Sequence, residues 1–112
     1  MPERDEGLYL DDILTAIDRI LRYTAEGRQA FFADPRTQDA VIRNLEVIGE
    51  AVRGVSPETR EGHPDVPWKQ IAGTRDRVIH GYFTVDLEIV WEIVATELAG
   101  LRRRVAAIIK AD

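Results

Sequence analysis

Apolar residues along this chain recur at steps of three and four, the period of an amphipathic helix, almost from end to end. Leu8, Ile13, Leu14, Ile17, Ile20, Leu21 and Thr24 mark a first helix over roughly residues 8–25, closed by Gly27. Asp34-Pro35 sets a boundary, because the residue before a proline avoids the helical region. A second stripe, Val41, Ile42, Leu45, Ile48 and Val52, predicts a helix from about Thr37 to Arg53. Gly49 sits inside that stripe at a cost of ~1 kcal/mol against alanine, and close helix packing is the expected reason. Residues 54–67 hold three prolines and two glycines and read as a loop, with one short helical turn after Ser56-Pro57. A third helix opens between Asp65 and Trp68, with Asp65 or Val66 as cap and Pro67 in its first turn. It runs to about His80 and stops at Gly81. The last helix begins near Asp86 and reaches Ile109. Its residues Leu87, Trp91, Val94, Leu98, Leu101, Val105 and Ile108 alternate steps of four and three, and Val90, Ile93 and Ile109 widen the seam.

No segment reads as a strand. The expected fold is therefore all-α: an up-down bundle of four main helices in one domain over residues 1–112, with a long C-terminal helix. That last helix would extend ~36 Å at 1.5 Å per residue, more than its partners require. Part of its seam is thus expected to face a second copy of the chain.

Composition narrows the class. Apolar residues make up 45% and charged residues 31%, which excludes an intrinsically disordered chain. No apolar run approaches the ~20 residues of a membrane span, and the acidic opening Met1-Pro2-Glu3-Arg4-Asp5-Glu6 is not a signal peptide. The chain has no cysteine, so thiolate chemistry is excluded and a cytoplasmic setting is favoured. A net charge of −5 argues against coating nucleic acid through the overall field, but leaves room for a local basic site. The charge is also graded, with Arg102, Arg103, Arg104 and Lys110 gathered near the C-terminus. Helix electrostatics explains such a gradient, and a docking patch for a polyanion is the sharper alternative.

Candidate chemistry concentrates between Trp68 and Phe83. Trp68, Ile71, Ala72, Val78 and Ile79 form the apolar face of the third helix, and Arg75 falls in the middle of it. A guanidinium there needs a partner: either a carboxylate of the second helix, Glu50 or Glu46, or an anion held at the floor of a cleft. His80 lies about 140° around and ~7.5 Å along an ideal helix from Arg75. The two share a face only loosely within one chain, but a second chain could supply one of them. Asp76, four residues before His80, is in reach of the imidazole. Histidine suits proton transfer near neutral pH, whereas a capping role at a helix end is the plainer alternative. Tyr82 places a phenol at the same end. His63 and Asp65 make a poor metal pair without cysteine, no phosphate loop or serine-triad motif is present, and no cofactor or metal is expected.

Arg75-x4-His80-x-Tyr82 resembles the R-x4-H-x-Y signature of the HepT-like family within the HEPN superfamily. The block from Arg43-Asn44 through Glu46, Gly49 and Glu50 to Ala51 is similar as well. So are Pro67-Trp68, Ile71-Ala72-Gly73 and the opening Val85-Asp86-Leu87 to Trp91, so that the resemblance spans about residues 8–109. It implies a HEPN-like helical fold and a toxin of a toxin–antitoxin pair. Such a toxin would be a homodimer that cleaves RNA without a metal, by attack of a 2′-hydroxyl on its own phosphate. His80 would then be the acid/base, Arg75 the phosphate binder and Tyr82 a site of AMP transfer by a cognate MNT-type nucleotidyltransferase antitoxin. Asp76 and Glu50 would support the two catalytic groups. The alternative is a non-catalytic HEPN adaptor that binds the nucleotidyltransferase or a nucleotide.

Overall fold

The computed structural model describes residues 5–82 and 84–111; most of the acidic opening, together with Phe83 and Asp112, lies outside them. Asp5 starts the first helix, α1 (Glu6–Tyr23), by accepting the Gly7 N–H at 2.7 Å, and Leu10, Ile13, Ala16, Ile17 and Ile20 form its buried stripe. Beyond it, Gly27 at φ 97° turns the chain into a short helix, α2 (Arg28–Ala33). The periodic pattern did not reveal α2, because six residues are too few to display a period. It buries Phe31 against Phe32 and Trp91, with ring centroids 5.2 and 5.4 Å away. Asp34 then caps α3 (Pro35–Arg53), with proline pre-set for the first helical position.

Ser56 caps α4 (Pro57–Gly62), the expected short turn. The expected third helix is two helices, α5 (Trp68–Ala72) and α6 (Thr74–Val78), broken at Gly73. Pro67 itself occupies the cap position, so neither Asp65 nor Val66 does. The chain then leaves the helix: β1 (Ile79–His80) pairs antiparallel with β2 (Thr84–Val85), in the register Ile79 with Val85 and His80 with Thr84. The last helix is also divided, into α7 (Leu87–Thr96) and α8 (Leu98–Ala111), with Glu97 between them.

The architecture is all-α apart from this ribbon. The α3 helix lies between α1 on one side and α5 with α6 on the other; α8 packs on α1, and α6 on α7. Ile13, Ile17, Ile20, Val41, Val52, Val90 and Val105 are wholly buried where these faces meet. Each such side chain contributes roughly 1.5–3 kcal/mol through removal from water. Val94, Leu98, Leu101, Val105 and Ile108 are all buried within the chain. Most of the C-terminal seam therefore joins this core, while Leu87, Trp91 and Ile109 of the same seam are half-buried. Among the described residues, no helix is long and apolar enough to cross a membrane.

A Cβ on Gly49 would sit 3.5 and 3.6 Å from the carbonyl oxygens of Ile71 and Ala72. The approach of α3 to α5 is close, as the sequence suggested, but it leaves space for a methyl group.

Candidate active site

The break at Gly73 decides where Arg75 points. On one continuous helix Arg75 would fall within about 20° of Trp68, facing the core. Instead Thr74 takes the buried position, with its hydroxyl donating to the Ile71 carbonyl at 2.8 Å, and Val78 is the next buried residue. Arg75 and Asp76 are exposed. The expected burial of Arg75 in an apolar face is therefore corrected, and so is its pairing with Glu50, whose Oε1 accepts from Arg53 Nη1 at 2.6 Å. Arg77 is the residue of this helix that is anchored. Its two terminal nitrogens donate to the two carboxylate oxygens of Glu97 at 3.0 and 2.9 Å. That forked bond raises the Arg77 pKa and ties α6 to the junction of α7 and α8.

His80 sits on a strand rather than at a helix end. Helical geometry stops at Val78, and Ile79 is extended at φ −106°, ψ 120°. Gly81 reverses the chain at φ 60°, a conformation that side-chain-bearing residues rarely adopt. Tyr82 follows it at the tip of the ribbon with 90% of its surface exposed. The return strand brings in a residue that sequence reasoning assigned only to the start of the last helix. The Asp86 N–H donates to the Val78 carbonyl at 2.7 Å, and Asp86 Oδ2 lies 3.7 Å from His80 Nε2. The carboxylate facing His80 is thus Asp86 and not the expected Asp76. A signal for the ribbon was present, since the β-branched pairs Val78-Ile79 and Thr84-Val85 flank Gly81.

A groove of about 660 Å³ opens between α1, α3 and α5 with α6. It gathers Arg75, Asp76 and Glu50 with Arg43, Glu46 and Arg53, and it does not include His80 or Tyr82. Within one chain the expected site residues therefore fall into two groups, Arg75 with Asp76 and Glu50 in the groove and His80 with Tyr82 on the ribbon. The groove is of mixed charge rather than basic. The basic cluster of α8 is partly neutralised as well: Arg102 Nε donates to Asp18 at 2.6 Å and Arg104 lies 3.9 Å from Asp65. Among the described residues, no group of three His, Cys, Asp or Glu side chains could hold a metal ion.

The all-α architecture is that of a HEPN-like fold, and it carries Arg75, His80 and Tyr82 on a helix, a strand and a turn respectively. The profile of the Ribonuclease HepT-like family matches residues 13–108, and the chain belongs to that family. It is 41% identical over 111 residues to "Putative RNase MJ0125" of Methanocaldococcus jannaschii, covering 98% of this chain and 96% of that protein. It is 40% identical over 101 residues to "Probable ribonuclease HepT" of Thermococcus cleftensis, covering 89% and 92%. No solved structure matches the chain.

Proposed function

We propose that this protein is the ribonuclease toxin of a toxin–antitoxin pair, an endoribonuclease that cuts RNA without a metal. The observation that supports this most directly is the presentation of the family signature. His80 and Tyr82 stand exposed on the ribbon that Gly81 reverses, while Arg75 faces solvent from the adjoining helix. In the reaction a ribose 2′-oxygen attacks the adjacent phosphorus as the bond to the 5′-oxygen breaks. His80 accepts the 2′-hydroxyl proton, and the departing 5′-oxygen is protonated from His80 or from water. Arg75 holds the non-bridging oxygens through charge-assisted hydrogen bonds as charge builds on them. The products are a 2′,3′-cyclic phosphate and a free 5′-hydroxyl.

A homodimer suits this chemistry, because one chain separates the Arg75 groove from the His80 ribbon and a two-fold axis can oppose them. The cognate MNT-type nucleotidyltransferase would silence the toxin by moving AMP to Tyr82, whose phenol is exposed. An added phosphate there would compete with RNA for Arg75. We place this activity in the cytoplasm, where the RNA is, in a single HEPN-like domain.

One observation favours the second reading, a non-catalytic adaptor for the nucleotidyltransferase or a nucleotide. The groove beside Arg75 carries Asp12, Glu46, Glu50 and Asp76 as well as its arginines, a poor match to an RNA backbone. Cleavage of RNA by purified protein in EDTA separates the two readings. Arg75→Ala and His80→Ala should each lower cleavage by 10²–10⁴-fold with helical content intact. Normal cleavage by either variant would refute these roles, and no cleavage by the wild-type chain would favour the adaptor.

A further inference from the structure

The antiparallel register fixes a relation that helical spacing hides. His80 opposes Thr84, so His80 and Asp86 are diagonal neighbours on one face of the ribbon. Backbone pairing from Asp86 N–H to the Val78 carbonyl, at 2.7 Å, continues that register one step further. Asp86 then divides its carboxylate between two tasks. Oδ1 accepts the Ile89 N–H at 3.1 Å and caps α7, which fixes the side chain's rotamer. Oδ2 is left to face Nε2 of His80 at 3.7 Å. A contact of that length before substrate binds is ordinary for a catalytic pair, which closes to hydrogen-bond distance in the complex.

We propose that Asp86 is a positioning residue for His80: it holds the neutral ring with Nε2–H turned toward Oδ2 and leaves Nδ1 to exchange protons with the RNA. The proposal rests on the nuclease reading only for its effect on rate. An ionised carboxylate accepts hydrogen bonds and cannot donate them, so the ring nitrogen facing it must carry the hydrogen. The other nitrogen is then unprotonated and available as a base. Because the same carboxylate caps α7, the orientation of the ring is tied to the start of the last helix. A side chain without that second bond would be free to swing away from the ribbon.

Asparagine separates the two tasks. In Asp86→Asn the amide oxygen still caps α7, while the amide NH₂ faces the ring and donates to Nε2, reversing the tautomer. Nitrogen-15 spectra of histidine-labelled full-length protein, taken where the imidazole is neutral, read this directly. We expect His80 to carry its hydrogen on Nε2 in the wild-type chain and on Nδ1 in Asp86→Asn, with helical circular dichroism unchanged. Single-turnover RNA cleavage should fall on the order of 10–10²-fold in Asp86→Asn, less than for a fully buried triad aspartate because this pair is partly exposed, with half-saturating RNA unchanged. Added to His80→Ala, the same substitution should change nothing further, whereas a loss through α7 alone would appear in both backgrounds. Wild-type His80 protonated on Nδ1, an unmoved tautomer in the variant, or equal rate losses in both backgrounds would each overturn the proposal. If the wild-type chain cuts no RNA, the nuclease reading fails and the tautomer measurement still decides the role of Asp86.

Discussion

Gly54 closes α3 against the ring of Tyr9 on α1, and the contact is tight enough for a single methyl group to report on it. At φ −82° and ψ −9° the backbone of Gly54 suits alanine, so any effect of Gly54→Ala comes from space. A Cβ there would lie 2.5 Å from Tyr9 Cδ2 and 2.6 Å from both Cδ1 and Cε2, about 0.8 Å inside ordinary contact. Overpacking of this kind costs typically ~1–3 kcal/mol. Removing a glycine restricts the unfolded chain and returns ~0.4–1 kcal/mol. The net loss should therefore be about 1–2 kcal/mol, or a fall in Tm of ~4–8 °C for a domain of this size. In a Tyr9→Ala background the clash is gone and only the backbone gain remains, so Gly54→Ala should raise Tm by a few degrees. Urea melts of the four proteins close the cycle, with a coupling of about 2 kcal/mol. An equal effect of Gly54→Ala in both backgrounds would show that the Tyr9 ring moves aside freely and that α1 does not bear on the end of α3.

Three further outcomes follow from contacts within the fold. Arg77→Gln or Glu97→Gln should each cost about 1 kcal/mol, between an exposed pair and a buried charged hydrogen bond, and the double variant should cost less than their sum; full additivity would mean that the fork is not formed. Glu6, Asp18 and Asp34 have lowered pKa values, held down chiefly by the Ser56 N–H, the Arg102 guanidinium and the Thr37 hydroxyl respectively. A carboxylate depressed in the fold stabilises above its unfolded pKa, about 4.5 for Glu6 and 3.8 for the two aspartates, and that stabilisation is lost as pH falls through the folded values. Tm should hold from neutrality to about pH 5 and fall below pH 4, and Asp18→Asn should flatten the fall; an unchanged slope in that variant would contradict the role of the Arg102 bond. Gly49→Ala should raise Tm by ~2–4 °C, since the methyl group fits and helix propensity improves by up to ~1 kcal/mol; a loss would mean that α3 and α5 cannot yield even at ordinary contact.

The long helices were legible because each buries one stripe of a regular period. Ile13, Ile17 and Ile20 of α1, and Val41, Leu45, Ile48 and Val52 of α3, all occupy the core that their spacing assigned them. Asp86 begins a helix where the sequence placed a start, and α3 begins at the Asp34-Pro35 boundary, just before the expected Thr37. The seam of the last helix was read correctly as apolar, and Val94, Leu98, Leu101, Val105 and Ile108 of it are buried within the chain. Periodicity reports that a face is buried and carries no information about what buries it, and here α1 of the same chain does so.

The signature region was misread because two opposing signals overlap there. From Trp68 to Val78 the helical period is sound on average, and it conceals the break at Gly73 that exchanges Thr74 for Arg75 on the buried side. From Ile79 to Val85 the β-branched residues favour extended backbone, but two-residue strands are too short to display alternation. Each misreading concerned the direction of a chemically important side chain. A continuous helix would have sent Arg75 inward and set His80 some 140° away from it. The break at Gly73 and the reversal at Gly81 instead expose all three signature residues, with Arg75 on a helix, His80 on a strand and Tyr82 in the turn. Four residues separate Arg75 from His80 in sequence, yet the carboxylate that meets His80 arrives from across the ribbon. Helical spacing searches the neighbours at three and four, whereas Asp86 is six positions along and reaches the ring through strand register. Asp86, proposed to orient His80, could therefore be found only once the chain was known to leave the helix before His80.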